Sequence, residues 1–150
     1  MRIGRDFAIL IVEDQPFIAV DVEDVARQLG ATLVGSTARL PNALTLLEAT
    51  PWDVALVDVH LTNGVKAYPV ADRLLNKGIP FAFLTAADEE IEPQYLGTPV
   101  LRKPFGVGQL ESCLQALLRV RASQARQART TIIDIPRKVA GPPFQQACSW

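Results

Sequence analysis

Four short stretches of the sequence carry polar side chains that could act together on a phosphoryl group. They contain Glu13 and Asp14, Asp58, Thr85 and Lys103, and each lies at the end of an apolar run or just after it. Carboxylates packed together repel one another, which favours a hard divalent cation such as Mg²⁺ with oxygen ligands. Asp58 could then act as a carboxylate nucleophile toward phosphorus. The Lys103 ammonium and the Thr85 hydroxyl could stabilise negative charge on the phosphoryl oxygens.

The elements around these residues alternate between strand-like and helix-like patterns. The apolar runs predict five strands, at 7–12, 32–35, 54–58, 79–85 and 100–101. Between and after them, apolar residues three and four positions apart predict helices at 16–29, 41–49, 68–76 and 105–127. This alternation is typical of an α/β domain with a doubly wound parallel sheet. The carboxyl ends of parallel strands lie along one edge of the sheet, so the polar residues should meet there.

Composition and charge describe one globular domain with a basic end. The chain has 150 residues, of which 49% are hydrophobic and 21% charged. Residues 1–118 hold nine Lys and Arg against fifteen Asp and Glu, whereas residues 119–150 hold six basic residues and one acid. We predict a domain over 1–127 and a C-terminal tail over 128–150 that is flexible or adds a short strand. The two cysteines fit no metal-binding spacing, and no apolar run reaches the length of a membrane span, so we expect a cytoplasmic protein.

The ordered set of motifs resembles the receiver domain of two-component response regulators, the CheY-like family. The stretches that carry the resemblance are Ile11-Val12-Glu13-Asp14, Leu56-Val57-Asp58, Leu84-Thr85-Ala86 and Lys103-Pro104-Phe105. Each motif alone is weakly specific, but all of them occur in the family's order between about residues 7 and 121. The resemblance implies a flavodoxin-like (βα)5 fold with a five-stranded parallel sheet.

The resemblance also implies a role for each site residue. Asp58 would be the phosphoacceptor, and Lys103 and Thr85 would bind the phosphoryl group together with the backbone N–H of Ala86. Mg²⁺ would be held by the carboxylates of Glu13, Asp14 and Asp58. The backbone carbonyl of His60 would be a further ligand. The family also implies a cis peptide bond between Lys103 and Pro104.

Several positions depart from the family pattern. Thr62 stands where receivers usually have proline, and Val100 stands where they usually have the aromatic ring that rotates on activation. Only 17 residues separate Thr85 from Lys103, and two of them are Pro93 and Pro99. Since proline breaks helices, we predict that the helix between the fourth and fifth strands is short, displaced or mobile. This segment and the run 79–86 resemble the FAT-GUY group of stand-alone receivers.

We therefore interpret the chain as a single-domain response regulator and not an enzyme. The resemblance implies a histidine kinase, of the HWE or a related type, or a phosphotransfer protein as phosphodonor, and a downstream protein target. We expect no DNA-binding output domain. The sequence leaves open whether the chain forms a homodimer.

Three alternatives remain at this stage. The Val100 departure and the expected short helix between the fourth and fifth strands keep open a receiver-fold interaction module that works without phosphorylation. A phosphatase of the haloacid-dehalogenase type would form an aspartyl phosphate too, but it needs a second Asp where this chain has His60. A nucleic-acid-binding regulator could use the basic residues 119–129, although these lack interleaved aromatic residues and any recognition motif.

Overall fold

A computed structural model describes residues 6–86 and 90–138 of the chain. Its helices are α1 (Pro16–Gln28), α2 (Leu40–Ala49), α3 (Tyr68–Lys77) and α4 (Val107–Lys138). Its strands are β1 (Phe7–Val12), β2 (Ala31–Thr37), β3 (Val54–Asp58), β4 (Phe81–Ala86) and β5 (Val100–Lys103). The five strands form one parallel sheet in the order β2-β1-β3-β4-β5. The doubly wound α/β fold predicted from the sequence is therefore confirmed.

Hydrophobic residues cover the sheet on both faces, because successive side chains of a strand point to opposite sides. Along β1, Ile9 and Ile11 pack with the apolar residues of α1 and α4, whereas Leu10 and Val12 pack with those of α2 and α3. All five residues of β3 are buried, as expected of the central strand of a covered parallel sheet. This arrangement fixes the carboxyl ends of β1, β3, β4 and β5 along one edge, where the polar motifs lie.

The connection between β4 and β5 contains no α-helix in its described residues, 90–99. It forms a single 3-10 turn over Pro93–Tyr95, in agreement with the expectation that the two prolines leave room only for a short helix. The segment is held on α3 by a group of contacts that we call the tyrosine clamp: Tyr68, Asp72, Phe83, Glu92 and Tyr95. Residues 87–89 lie outside the described residues.

The tyrosine clamp joins aromatic packing to hydrogen bonds. The buried ring of Tyr95 stacks on Tyr68 with centroids 4.8 Å apart and lies edge-on to Phe83 at 5.5 Å. The Tyr95 hydroxyl donates to the Asp72 carboxylate, and the backbone N–H of Glu92 donates to the Tyr68 hydroxyl at 3.2 Å. Burial, reinforced by the hydrogen bond to Asp72, raises the pKa of Tyr95 to about 12. The hydroxyl therefore remains a donor at neutral pH.

The last helix is longer than the sequence pattern indicated. α4 continues past residue 127, where we expected it to end, and runs to Lys138. The apolar period stops after Leu118 because residues 119–130 are mostly exposed, whereas the Ala, Gln and Arg residues among them still favour helix strongly. Residues 128–138 are thus helical where we expected a flexible or strand-forming tail. The rest of that tail, 139–150, lies outside the described residues.

None of the helices in the described part of the chain combines the length and the apolar character that crossing a membrane requires.

Gly35 in β2 is required by the close approach of Trp52. A Cβ at this position would lie 2.4 Å from the Trp52 ring, which is 3% exposed and fixed by a hydrogen bond from its indole N–H to the Leu46 carbonyl. We predict that Gly35→Ala lowers the free energy of unfolding by about 1–3 kcal/mol in urea denaturation. Gly108→Ala is the matched control, because a Cβ there meets nothing within 4 Å in the first turn of α4. Equal stability of the two variants would contradict this account of the packing.

Candidate functional site

The polar side chains predicted from the sequence gather at the carboxyl edge of the sheet. Glu13 directly follows β1, Asp58 ends β3 and Lys103 ends β5. Glu13 and Asp58 are 2% and 4% exposed, which is unusual for carboxylates and requires partners. Thr85 follows Leu84, the β4 residue that pairs with Asp58 in the sheet. The strand order therefore brings together residues that are up to 90 positions apart in the sequence.

The Lys103 ammonium joins the two buried carboxylates. Its Nζ lies 2.9 Å from Glu13 Oε1 and 2.9 Å from Asp58 Oδ2. It also donates to the side-chain oxygen of Gln15 at 3.0 Å. The backbone N–H of Gln15 donates in turn to Glu13 Oε2 at 3.0 Å. The Lys103 side chain is 17% exposed, so this group of charges, which we call the lysine bridge, is largely shielded from water.

The charges of the lysine bridge perturb one another. Burial, together with the nearby Asp58, raises the pKa of Glu13 to about 7, although the Gln15 N–H and Lys103 oppose this shift. Burial alone would lower the pKa of Lys103, but the hydrogen bonds and charges of Glu13 and Asp58 outweigh it and leave the pKa raised. Lys103 is therefore a cation at neutral pH, and a single cation faces more than one carboxylate.

The carboxylates form a site that fits a hard divalent cation. One oxygen each from Glu13, Asp14 and Asp58 lies within 4.8 Å of the others. All three donors are carboxylate oxygens, the type that Mg²⁺ prefers, and Asp14 is only half-buried. A divalent cation here would offset the negative charge that Lys103 leaves uncompensated. The donor set therefore fits the predicted Mg²⁺.

His60 and Ala86 contribute backbone groups near Asp58. The His60 N–H donates to Asp58 Oδ1 at 3.1 Å, so both oxygens of this carboxylate are held, one by His60 and the other by Lys103. That the His60 carbonyl binds the metal stays a prediction. Ala86 ends β4 and is exposed, and its carbonyl accepts a hydrogen bond from Arg102 at 3.3 Å. The predicted contact of its N–H with a phosphoryl group likewise stays a prediction.

Thr85 is a buried hydroxyl without a hydrogen-bond partner. It is 1% exposed, and its Oγ meets no donor or acceptor among the described residues. A buried unpaired hydroxyl is unfavourable by roughly 1–3 kcal/mol. An arriving oxyanion could satisfy it. The peptide bond between Lys103 and Pro104 is cis, as the family resemblance implied.

Sequence reasoning missed two residues of the site. Gln15 contacts Lys103 through its side chain and Glu13 through its backbone, but no feature of a single sequence sets this glutamine apart from other surface residues. The Thr62 hydroxyl donates to Asp14 Oδ2 at 3.0 Å. In the sequence, Thr62 stood out only because it replaces the proline that is usual at this position. That replacement was the one signal that pointed to Thr62.

Comparison with known proteins finds relatives of the same architecture. SdrG from Sphingomonas melonis Fr1, known from a solution structure, is 38% identical, and the match covers 75% of this chain and 97% of that one with a TM-score of 0.68. The response regulator REC domain of Erythrobacter litoralis PhyR is 25% identical, with coverage of 76% and 91% and a TM-score of 0.64. No family model matches the chain.

A curated relative agrees with these structures. The phyllosphere-induced regulator PhyR of Methylorubrum extorquens is 29% identical over 140 residues, a match that covers 83% of this chain. The chain spans about half of that protein, 51% of its length. Together with the lysine bridge and the strand order, the similarity to SdrG establishes the class: the chain belongs to the receiver domains of two-component response regulators.

We predict that the lysine bridge stabilises the fold through Lys103. Lys103→Met leaves two buried carboxylates without their cation and should lower the free energy of unfolding by about 2 kcal/mol in metal-free buffer at pH 7.5. The loss stays moderate because burial and Asp58 already raise the pKa of Glu13, and removal of the Lys103 ammonium, which opposes this shift, raises it further, so that Glu13 can take up a proton. Urea denaturation with a chelator present measures it.

Lys77→Met is the control for this substitution. Its ion pair with Glu48 joins side chains that are 38% and 53% exposed, so the change should be below about 0.5 kcal/mol. Similar losses in the two variants would show that the lysine bridge does not stabilise the fold.

Proposed function

We propose that the chain is a phosphorylation-controlled signalling switch in which Asp58 accepts a phosphoryl group from a phosphohistidine. The observation that carries this proposal is the lysine bridge around Asp58, with Asp14 completing a set of oxygen donors. Such a set suits phosphoryl transfer, in which catalysis consists mainly of positioning and of stabilising charge on the phosphoryl oxygens.

Each side chain has a definite part in the proposed reaction. An Asp58 oxygen attacks phosphorus, the phosphorus–nitrogen bond of the phosphohistidine breaks, and the imidazole leaves with the bonding electrons and takes up a proton. Lys103 moves from the carboxylate to an oxygen of the phosphoryl group, and Thr85 donates its free hydroxyl to another. Glu13, Asp14 and Asp58 would hold Mg²⁺, which would supply positive charge next to the phosphoryl oxygens. The product is an aspartyl phosphate, which carries more negative charge than the carboxylate.

A histidine kinase or a phosphotransfer protein could dock beside this site. Large apolar side chains are exposed near the starts of α1 and α4: Phe17 is 87% exposed, Val20 53% and Val107 58%. The contact of Gln15 with Lys103 places the start of α1 directly next to the site. An apolar patch at the mouth of a reactive site is a typical protein-binding surface. The resemblance to FAT-GUY receivers favours a kinase of the HWE type.

The tyrosine clamp is the part of the fold that we propose to pass on the signal. Val100 cannot serve as a rotating aromatic ring, but Thr85 lies on the same face of β4 as Phe83, two residues earlier, and Phe83 packs against Tyr95. Movement of Thr85 toward a phosphoryl group would alter the packing of Phe83 on Tyr95 and loosen segment 90–99. Because Leu96 in this segment is 79% exposed, the segment is suited to contact a partner protein.

Val100, together with the single 3-10 turn in place of a helix within residues 90–99, favours a second function, a receiver-fold interaction module that works without phosphorylation. The two functions differ in whether Asp58 takes up a phosphoryl group. They also differ in whether partner binding responds to it.

We predict that the chain is labelled by a phosphorylated histidine kinase of the HWE type, and also by phosphoramidate, when Mg²⁺ is present. Asp58→Asn should reduce labelling to background, because the amide cannot form the acyl phosphate. Phosphate-affinity gel electrophoresis measures the phosphorylated fraction. Glu48→Gln, which changes an exposed carboxylate on α2, is the control and should be labelled like the wild type. Labelling of Asp58→Asn at the wild-type level, or no labelling of the wild type by either donor, would overturn the proposal.

We predict that Tyr95→Phe loosens segment 90–99 without phosphorylation. Loss of the hydrogen bond to Asp72 is worth about 1 kcal/mol, or about a fivefold change in local opening. The amides of Tyr95, Leu96 and Thr98, which donate within the segment, should therefore exchange about fivefold faster with deuterium.

Arg73→Gln is the control for the clamp, because Arg73 neighbours Asp72 but pairs with Glu48 on α2. Its exchange rates in the segment should equal those of the wild type.

Addition of beryllofluoride and Mg²⁺ to the wild type should raise exchange in the same amides. An unchanged rate on activation would contradict the role of the clamp in output.

A further inference from the structure

We propose that Thr62 is a positioning residue that holds the Asp14 carboxylate in place for the divalent cation. The inference rests on the metal site of the proposed function. The Thr62 hydroxyl donates to Asp14 Oδ2 at 3.0 Å, across 48 positions of sequence. This contact joins the β3–α3 connection to the end of β1, next to the lysine bridge.

Asp14 differs from the other two carboxylates in how it is held. Glu13 is fixed by the Gln15 N–H and Lys103, and Asp58 is fixed by the His60 N–H and Lys103. For Asp14, the Thr62 hydroxyl is the single hydrogen-bond donor within residues 6–86 and 90–138. Because Asp14 is half-buried, its side chain has room to rotate into solvent when this donor is lost.

The loop that presents Thr62 is itself firmly built. Leu61 is 5% exposed and anchors the loop in the core, and its N–H donates to the Val65 carbonyl at 2.8 Å. His60 and Lys66 pair as an antiparallel bridge, which closes the base of the loop. The chain reverses through Asn63, which has a positive φ of 65°. The backbone that carries the Thr62 side chain is therefore held in place on both sides of this residue.

The hydrogen bond leaves Asp14 able to bind a cation. A carboxylate has about four lone-pair sites on its two oxygens, and one hydroxyl occupies a single site on Oδ2. The remaining sites can bind the metal, while the hydroxyl selects the side-chain orientation before binding. Residues that orient metal ligands in this way typically change metal affinity by about 10–100-fold when mutated. Since Asp14 is one ligand of three, we expect the low end of that range, about tenfold.

The test is a titration of Mg²⁺ alone into the full chain. Isothermal calorimetry and the NMR shifts of the Asp14 and Asp58 amides both measure the binding. Thr62→Val, which keeps the shape and removes the hydroxyl, should weaken binding about tenfold. Thr62→Ser restores the hydroxyl and should bind within about threefold of the wild type, since a residue that orients a metal ligand acts through the hydrogen bond that it donates. Rescue by serine separates positioning from a general packing effect.

Thr45→Val is the matched control, because Thr45 also carries an exposed hydroxyl with one hydrogen bond, to the Pro41 carbonyl in α2. Its Mg²⁺ affinity should equal that of the wild type. Thermal unfolding without metal checks that each variant folds. If Thr62→Val does not fold, Thr62→Ala is titrated in its place and should bind as weakly.

The outcomes separate this inference from the proposed function. A wild-type chain that binds no Mg²⁺ would overturn the metal site itself. Binding by the wild type with an unchanged affinity in Thr62→Val would overturn the role of Thr62 and leave the metal site intact. Tighter binding in Thr62→Val would also overturn it, because the hydroxyl would then compete with the cation.

Discussion

The contact of one ammonium with two buried carboxylates is the interaction on which the rest of the site depends. The Lys103 Nζ lies 2.9 Å from a carboxylate oxygen of Glu13 and 2.9 Å from one of Asp58. Lys103 ends β5, Glu13 directly follows β1 and Asp58 ends β3. Burying either acid without a counter-charge would be strongly unfavourable, so the three chain segments must meet at this edge of the sheet. The fold and the site are therefore coupled, because the cation that stabilises the fold is also the group that would receive a phosphoryl oxygen.

Around this centre, the neighbouring groups are held to different degrees. Asp58 has both oxygens fixed by donors, whereas Asp14 depends on the Thr62 hydroxyl and Thr85 Oγ has no partner among the described residues. An acidic set with one compensating cation is arranged to accept more positive charge, and an unpaired buried hydroxyl is arranged to accept an oxyanion. The tyrosine clamp packs on the face of β4 that carries Phe83 and Thr85, in the region in which a helix would otherwise lie, so the proposed output surface lies on the same face as Thr85.

Much of this arrangement can be predicted from the sequence. The runs before Asp58 and Thr85 are apolar throughout, so they indicate buried parallel strands, and parallel strands bring their carboxyl ends to one edge. Contacts made by single polar side chains cannot be read in this way. Gln15 and Thr62 follow no periodicity, and the packing of Tyr95 on Tyr68 depends on the path of a loop. The length of α4 was underestimated because exposed helix residues show propensity but no apolar period.

The most direct test of the central claim is an NMR titration with beryllofluoride, which mimics a phosphoryl group on an aspartate. The account predicts that beryllofluoride, added in the presence of Mg²⁺, shifts the amides of Asp58, Thr85 and Lys103 in ¹H–¹⁵N spectra beyond any change that Mg²⁺ alone produces. It also predicts that Asp58→Asn shows none of these shifts. Shifts of equal size in Asp58→Asn, or a wild-type spectrum that stays unchanged with both reagents in excess, would contradict it.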